Sequence, residues 1–411
     1  MGALSPEPDA PASHFRWLNI LALVAGLLPL ALGPLAGGLF VLLSLTSRQT
    51  ADTLSMTTIG LSVAALGLGF GGALAWVGYH GLRGRPSRPF RPGPGWLWGC
   101  LAASGVALLI GQLIISLDLL APVTFPLFHI LGVSLPAIVI LLLFGRGLAS
   151  HAPAPTQPQV LGQMALGALG MTLVSFILEA LVAVIALVVV AAVVALLPGG
   201  LAQLAELQAM LADPTRLQDP QALAHWLLKP GILILAAVML MLVVPIIEEG
   251  AKSLGVPLLA LGIRAKPAPA QGWLWGVAVG AGFAIAEGLF NSAASLPFWA
   301  GIVLLRAGAS AMHMVTAGLT GLGWARMLTA RSFLSLLASY LASLTLHGLW
   351  NGLTVLIVIA SLQTMAEPGD TSRIAIGGVG MIFGLIGLIL LMVATIGVAI
   401  YITRRVGEPH R

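Results

Sequence analysis

Charge is what this chain lacks. Of its 411 residues only 33, or 8%, are Asp, Glu, Lys or Arg, against about 25% in ordinary soluble domains. Hydrophobic residues make up 58%, and mean hydropathy is +1.02. A soluble fold of this size could not cover its surface with so few charges, which excludes soluble, disordered and nucleic-acid-binding classes. The single cysteine, Cys100, excludes an internal disulfide, a CxxC redox pair and a Cys-based zinc site. The segment before the first apolar run carries two acids, three prolines and no basic n-region, so a cleavable signal peptide is not expected. Pro6 stands where a myristoylation motif after Gly2 requires Ser or Thr.

What is present is apolar sequence in long runs. Runs near 17–44, 54–79, 96–117, 125–145, 160–197, 231–262, 272–296, 300–328, 333–362 and 374–402 read as membrane helices, giving an all-α polytopic bundle of about ten spans. The fifth is too long for an upright crossing and is expected to tilt or project. With the N-terminus in the cytoplasm, 13 of the 19 Lys and Arg fall in cytoplasmic segments, four fall opposite, and Lys252 and Arg306 lie inside spans. That asymmetry predicts both termini in the cytoplasm, which needs an even span count; the plasma or inner membrane is the expected location. The Pro-rich break at 151–159 suggests three regions. Residues 1–159 form a four-helix part with a basic loop at 80–95 suited to anionic headgroups. Residues 160–230 form a long helix plus an amphipathic outer segment at 201–228. Residues 231–411 form a catalytic part whose motifs lie within 245–351.

Several familiar motifs are missing or misplaced. Gly67, Gly69 and Gly72 match GxGxxG but lie inside an apolar run with no strand before them, so nucleotide binding is not expected. Close helix packing through small residues explains them, as it does Gly276/Gly280 and Gly380/Gly384. There is no HExxH, no GxSG, and no Asp within a span apart from Asp118 at an edge. There is no internal repeat of the kind many transporters show.

Ionisable residues within a bilayer cost about 2.5–3.5 kcal/mol each on the insertion scale, so each one needs a reason. Spans six to nine contain Glu248, Glu249, Lys252, Glu287, Arg306, His313 and His347, with Asn351 beside them. Glu248, Glu249, Glu287, His313 and His347 all lie within about one helical turn of their span midpoints. Lys252 is i+4 from Glu248 and i+3 from Glu249, and can pair with either. Phe283, Glu287 and Asn291 step along one face, as do Arg306 and His313. His347 and Asn351, at i and i+4, can aim at one substrate oxygen. Pro245 frees backbone carbonyls and can open space beside the Glu pair. With neutral histidines, three glutamates against two cations leave one negative charge for a proton or cation to offset. Glu179, midway along the fifth run, stands alone in sequence, and a structural or cavity-facing role is expected of it.

At these residues the sequence resembles the PrsW family of intramembrane proteases, and more distantly the CAAX prenyl endopeptidase/Abi superfamily. The matching pieces are Glu248-Glu249-x-x-Lys252, Phe283-x-x-x-Glu287 with Asn291, Arg306 with His313, and His347-x-x-x-Asn351, in family order on four successive spans. Two positions depart from the wider superfamily pattern: Lys252 comes one residue earlier than its Arg, and Glu287 replaces a His. The resemblance implies hydrolysis of a peptide bond in a membrane-anchored protein, such as an anti-sigma-factor-like regulator, within a lipid bilayer and without nucleic acid or nucleotide. In the expected mechanism Glu248 activates a water and Glu249 holds the site with Lys252. His347 and Asn351 donate to the oxyanion. His313 and Glu287 orient the water or bind metal, Arg306 balances charge, and Asn291 supports Glu287. His313, His347 and Glu287 permit a zinc site without requiring one, and a metal-free glutamate/histidine mechanism uses the same groups. The rival readings are a proton-coupled transporter and a non-catalytic membrane scaffold.

Overall fold

The computed structural model describes residues 16–46, 50–148, 154–196, 199–213, 219–293 and 296–407. The N-terminal segment before Arg16, the start of the Pro-rich break, and the loop cations Arg48, Arg216 and Arg411 lie outside the described residues. Within them the chain is a helical bundle with ten helices long and apolar enough to cross a membrane. These are α1 (Arg16–Ser44), α2 (Asp52–Leu82), α3 (Pro94–Leu117), α4 (Ala121–Gly147) and α5 (Gln157–Leu196). Two short helices follow, α6 (Gly200–Ala212) and α7 (Pro220–Leu227), where an amphipathic segment is expected. The remaining spans are α8 (Pro230–Ile263), α9 (Pro269–Ala293), α10 (Trp299–Ala330), α11 (Phe333–Ala366) and α12 (Thr371–Val406). Each expected run is recovered to within a few residues. The fifth is a 40-residue helix, as its excess length requires.

Helices α9 and α10 lie deepest in the bundle, although their mean hydropathies, 1.5 and 1.4, are among the lowest of the ten. Lipid tails are as apolar as leucine, so in a membrane small residues and polar contacts, more than hydrophobicity, bring helices together. Gly276 faces the Ala317 carbonyl and Gly280 the His313 carbonyl so closely that a Cβ at either position would collide with backbone. The two helices therefore approach to backbone contact along the stretch that carries His313. Around this pair stand α4, α5, α8, α11 and α12.

Three spans change winding within the bilayer: π segments occupy Gly67–Gly71 in α2, Leu166–Met171 in α5 and Met239–Val243 in α8. A π turn inserts one residue and rotates everything beyond it. In α8 it ends just before Pro245, which has no N–H to give the preceding turn. The carbonyls released there are used by α11. Asn351 Nδ2 donates to the Leu240 carbonyl at 2.7 Å, and a Cβ at Gly348 would press on the Met241 carbonyl.

Candidate active site

The one-turn segment Glu248–Lys252 of α8 points its charged face inward, where all three ionisable side chains are buried. Lys252 is the hub of that face. Its Nζ lies 2.6 Å from Glu249 Oε1, 3.5 Å from Glu248 Oε2 and 2.8 Å from His313 Nδ1, and sits 4.6 Å from the centre of the Phe283 ring. Phe283 and Glu287, one turn apart on α9, thus share a face that meets the cluster, as their spacing predicts.

Each histidine is backed by a carboxylate. His347 Nδ1 is 2.8 Å from Glu249 Oε1, which also accepts from Thr316 Oγ1 at 3.1 Å. His313 Nε2 is 2.8 Å from Glu287 Oε2. Glu287 is in turn held by Arg306 Nη2 at 2.7 Å and by Asn291 Nδ2, which donates to Oε1 at 2.9 Å. These contacts orient the rings, which meet edge to face with centroids 5.0 Å apart. The opposite nitrogens converge on one atom: Glu248 Oε2 lies 3.7 Å from His313 Nδ1 and 3.9 Å from His347 Nε2. That oxygen is buried and accepts no hydrogen bond. Glu248, His313 and His347 can present ligand atoms that all lie within 4.8 Å of one another.

The cluster closes one end of a cavity of about 410 Å³ whose wall includes Glu179, Glu248, Glu287, Arg306, His347 and Asn351. From there the cavity runs between α5, α8 and α11 to Leu227 and Leu362. Glu249 and Lys252 stand behind it and do not line it.

Eight of the nine residues singled out in the sequence therefore form one connected network. The ninth, Asn351, lines the cavity, but its amide is engaged with Leu240. Glu287 is expected among the metal ligands, yet its oxygens are taken up by Asn291, Arg306 and His313, and it is Glu248 that faces both histidines. Sequence reasoning missed Thr316, whose i+3 spacing from His313 was open to the same stripe argument, and the Lys252–His313 contact, which joins different helices. For Glu179 it left a structural or cavity-facing role open, and α5 brings that residue to the cavity wall.

A family model described as PrsW family intramembrane metalloprotease matches residues 167–393, more than half of the 411-residue chain. The chain belongs to the PrsW family. The match spans every residue of the PrsW-family cluster, Glu179 included, and leaves α1–α4 outside. Comparisons with curated proteins and with solved structures return no match. Family and architecture together make this a multi-pass membrane protein of a protease family, with a buried Glu/His/His cluster of metal-binding type.

Proposed function

We propose that this PrsW-family protein is an endopeptidase that cleaves a membrane-anchored protein within the bilayer, with Glu248, His313 and His347 as the donor set for a divalent metal such as zinc. The observation that carries the reading is the pair of carboxylate-backed histidines whose opposite nitrogens face Glu248 Oε2, a buried oxygen that accepts no hydrogen bond and has only the Lys252 ammonium, at 3.5 Å, as an ion-pair partner. A carboxylate behind a histidine fixes ring orientation and raises basicity at the opposite nitrogen, an arrangement common around catalytic metals. The separations of 3.7 and 3.9 Å are near the roughly 3.3 Å between neighbouring ligands of a tetrahedral zinc site with bonds of about 2.0 Å. Charge supports the same conclusion. Four carboxylates (Glu179, Glu248, Glu249 and Glu287) meet two cations, Lys252 and Arg306, and the excess of two negative charges matches a divalent ion.

A metal bound there would polarise the scissile carbonyl and lower the pKa of a bound water. The chain's own groups do the rest. Glu249 keeps His347 Nδ1 protonated and its Nε2 free. Glu287 does the same for His313 through Nε2, leaving Nδ1, which Lys252 now contacts. Arg306 pairs with Glu287 at 2.7 Å and holds it in place. The long apolar arm of the cavity, with Val355, Val358 and Ile359 on its α11 wall, would accept an unwound stretch of substrate and exclude bulk water. In this reading Glu248 takes the ligand place expected of Glu287, and Glu287 backs His313.

The test is reconstitution in proteoliposomes with single-span reporter peptides. Wild type should cleave and should hold one metal ion per chain. Glu248→Gln and His347→Ala should lose both properties, and chelation should stop cleavage reversibly. Cleavage that survives both substitutions would sink the reading.

A further inference from the structure

Glu179 is the carboxylate of the site for which neither the family motifs nor the donor set has a use. Its position on α5 is built, not incidental. Thr172, Ser175, Phe176 and Glu179 follow i, i+3, i+4, i+7 spacing, which puts them on one face of the helix. Thr172 and Ser175 are buried on that face and Phe176 and Glu179 open onto the cavity, while Ile177, Leu178 and Leu181 on the others are exposed where lipid would lie. The π segment at Leu166–Met171 lies just before this stripe and sets its direction. Phe176 meets the Phe290 ring of α9 at 6.3 Å, which ties α5 to the helix carrying Glu287 and Asn291.

The inward end of this stripe is unpartnered. Glu179 Oε1 is buried, has no hydrogen-bond partner and lines the cavity together with Glu248, Glu287 and His313. It is close enough to Glu287, Lys252 and Glu248 to interact with them electrostatically. An ionisable group left free at this depth is costly and marks function by default.

Elimination gives it a task. Peptide hydrolysis needs a carboxylate that takes a proton from water and returns it to the departing nitrogen. Glu249 is enclosed by Lys252, His347 and Thr316 and does not face the cavity. Glu287 is held by Arg306, His313 and Asn291. Glu248 is the carboxylate of the proposed donor set, where its charge is committed to the metal.

We propose that Glu179 is the general acid–base of the reaction. Its carboxylate removes a proton from the attacking water as the new C–O bond forms at the scissile carbonyl carbon. It then delivers that proton to the amide nitrogen as the C–N bond breaks, leaving a carboxylic acid, which keeps the water's second proton, and an amine. This assignment rests on the hydrolase reading above and adds a residue on span five to a site otherwise built from spans six to nine.

The experiment compares wild type, Glu179→Gln, Glu179→Asp and Glu248→Gln in proteoliposomes, using a single-span reporter peptide that wild type cleaves. Cleavage rate, KM, bound zinc and the pH profile are measured for each. General acid–base catalysis contributes typically 10²–10⁴-fold. Glu179→Gln should therefore lose kcat by that factor while keeping KM and its zinc within about twofold. Glu179→Asp should recover part of the rate, and the acid limb of the wild-type pH profile, where activity falls as Glu179 is protonated, should be absent from Glu179→Gln. Glu248→Gln should lose zinc. Cleavage by Glu179→Gln within threefold of wild type overturns the assignment, and so does loss of its zinc, which would make Glu179 a ligand. If wild type binds no zinc and cleaves no member of a reporter set, the hydrolase reading fails first, and that outcome is distinct from a Glu179-specific failure.

Discussion

His347 Nδ1 lies 2.8 Å from Glu249 Oε1, across 98 positions of sequence and between two different spans. The contact turns the other ring nitrogen of His347 toward Glu248 and gives the two adjacent glutamates of α8 different tasks. Glu249 holds, and Glu248 faces the cavity. Glu249→Gln should accordingly retain the fold yet weaken metal binding by about 10–100-fold, the usual loss when an outer partner of a ligand is removed. Zinc titration of the purified variant checks this, and an affinity within twofold of wild type would count against the orienting role.

Lys252 tests how the buried charges hold together. Its ammonium is the counter-ion of Glu249 at 2.6 Å, and both side chains are fully buried. Breaking a buried pair by removing one partner costs about 3–5 kcal/mol, because the remaining charge is uncompensated. Lys252→Met should lower thermal stability in detergent by an amount of that order, and Lys252→Met/Glu249→Gln should recover much of it. A single variant as stable as wild type would mean that Glu249 is neutral in the folded protein.

The α9–α10 contact gives a steric prediction. A methyl at Gly280 would meet the His313 carbonyl, whereas Gly301 on α10 has open space around it. Gly280→Ala should cost about 1–3 kcal/mol through overpacking and displace His313, with loss of cleavage. Gly301→Ala should be neutral in both assays. Equal behaviour of the two would show that α9 and α10 do not pack through backbone.

Asn351 separates two roles. If its amide serves to hold the Leu240 carbonyl, Asn351→Leu forfeits one hydrogen bond of about 1–1.5 kcal/mol and should slow cleavage roughly tenfold with zinc retained. A loss of 10²–10³ in kcat, the size seen on deleting an oxyanion donor, would instead return Asn351 to the role its spacing from His347 suggests.

Sequence alone determined that this chain is a ten-span helical membrane protein. Apolar run length follows directly from bilayer thickness and needs no tertiary information. It also determined which side chains are expensive enough to need a purpose: Glu248, Glu249, Lys252, Glu287, Arg306 and His313 were legible because charge is so scarce around them. Helical spacing further placed Glu287 with Asn291, and Lys252 with the glutamate pair. Which carboxylate faces which histidine was decided only by the tertiary structure. That choice depends on the rotation of each helix about its axis, set by the Gly280–His313 backbone contact and by the π segment before Pro245. Glu179 shows the same limit. One acid in a long apolar run has no partner in its own helix, and only the winding of α5 and its packing beside α8 and α9 bring it to the cavity. Local sequence fixes what a helix can offer, but the contacts between helices fix where it points.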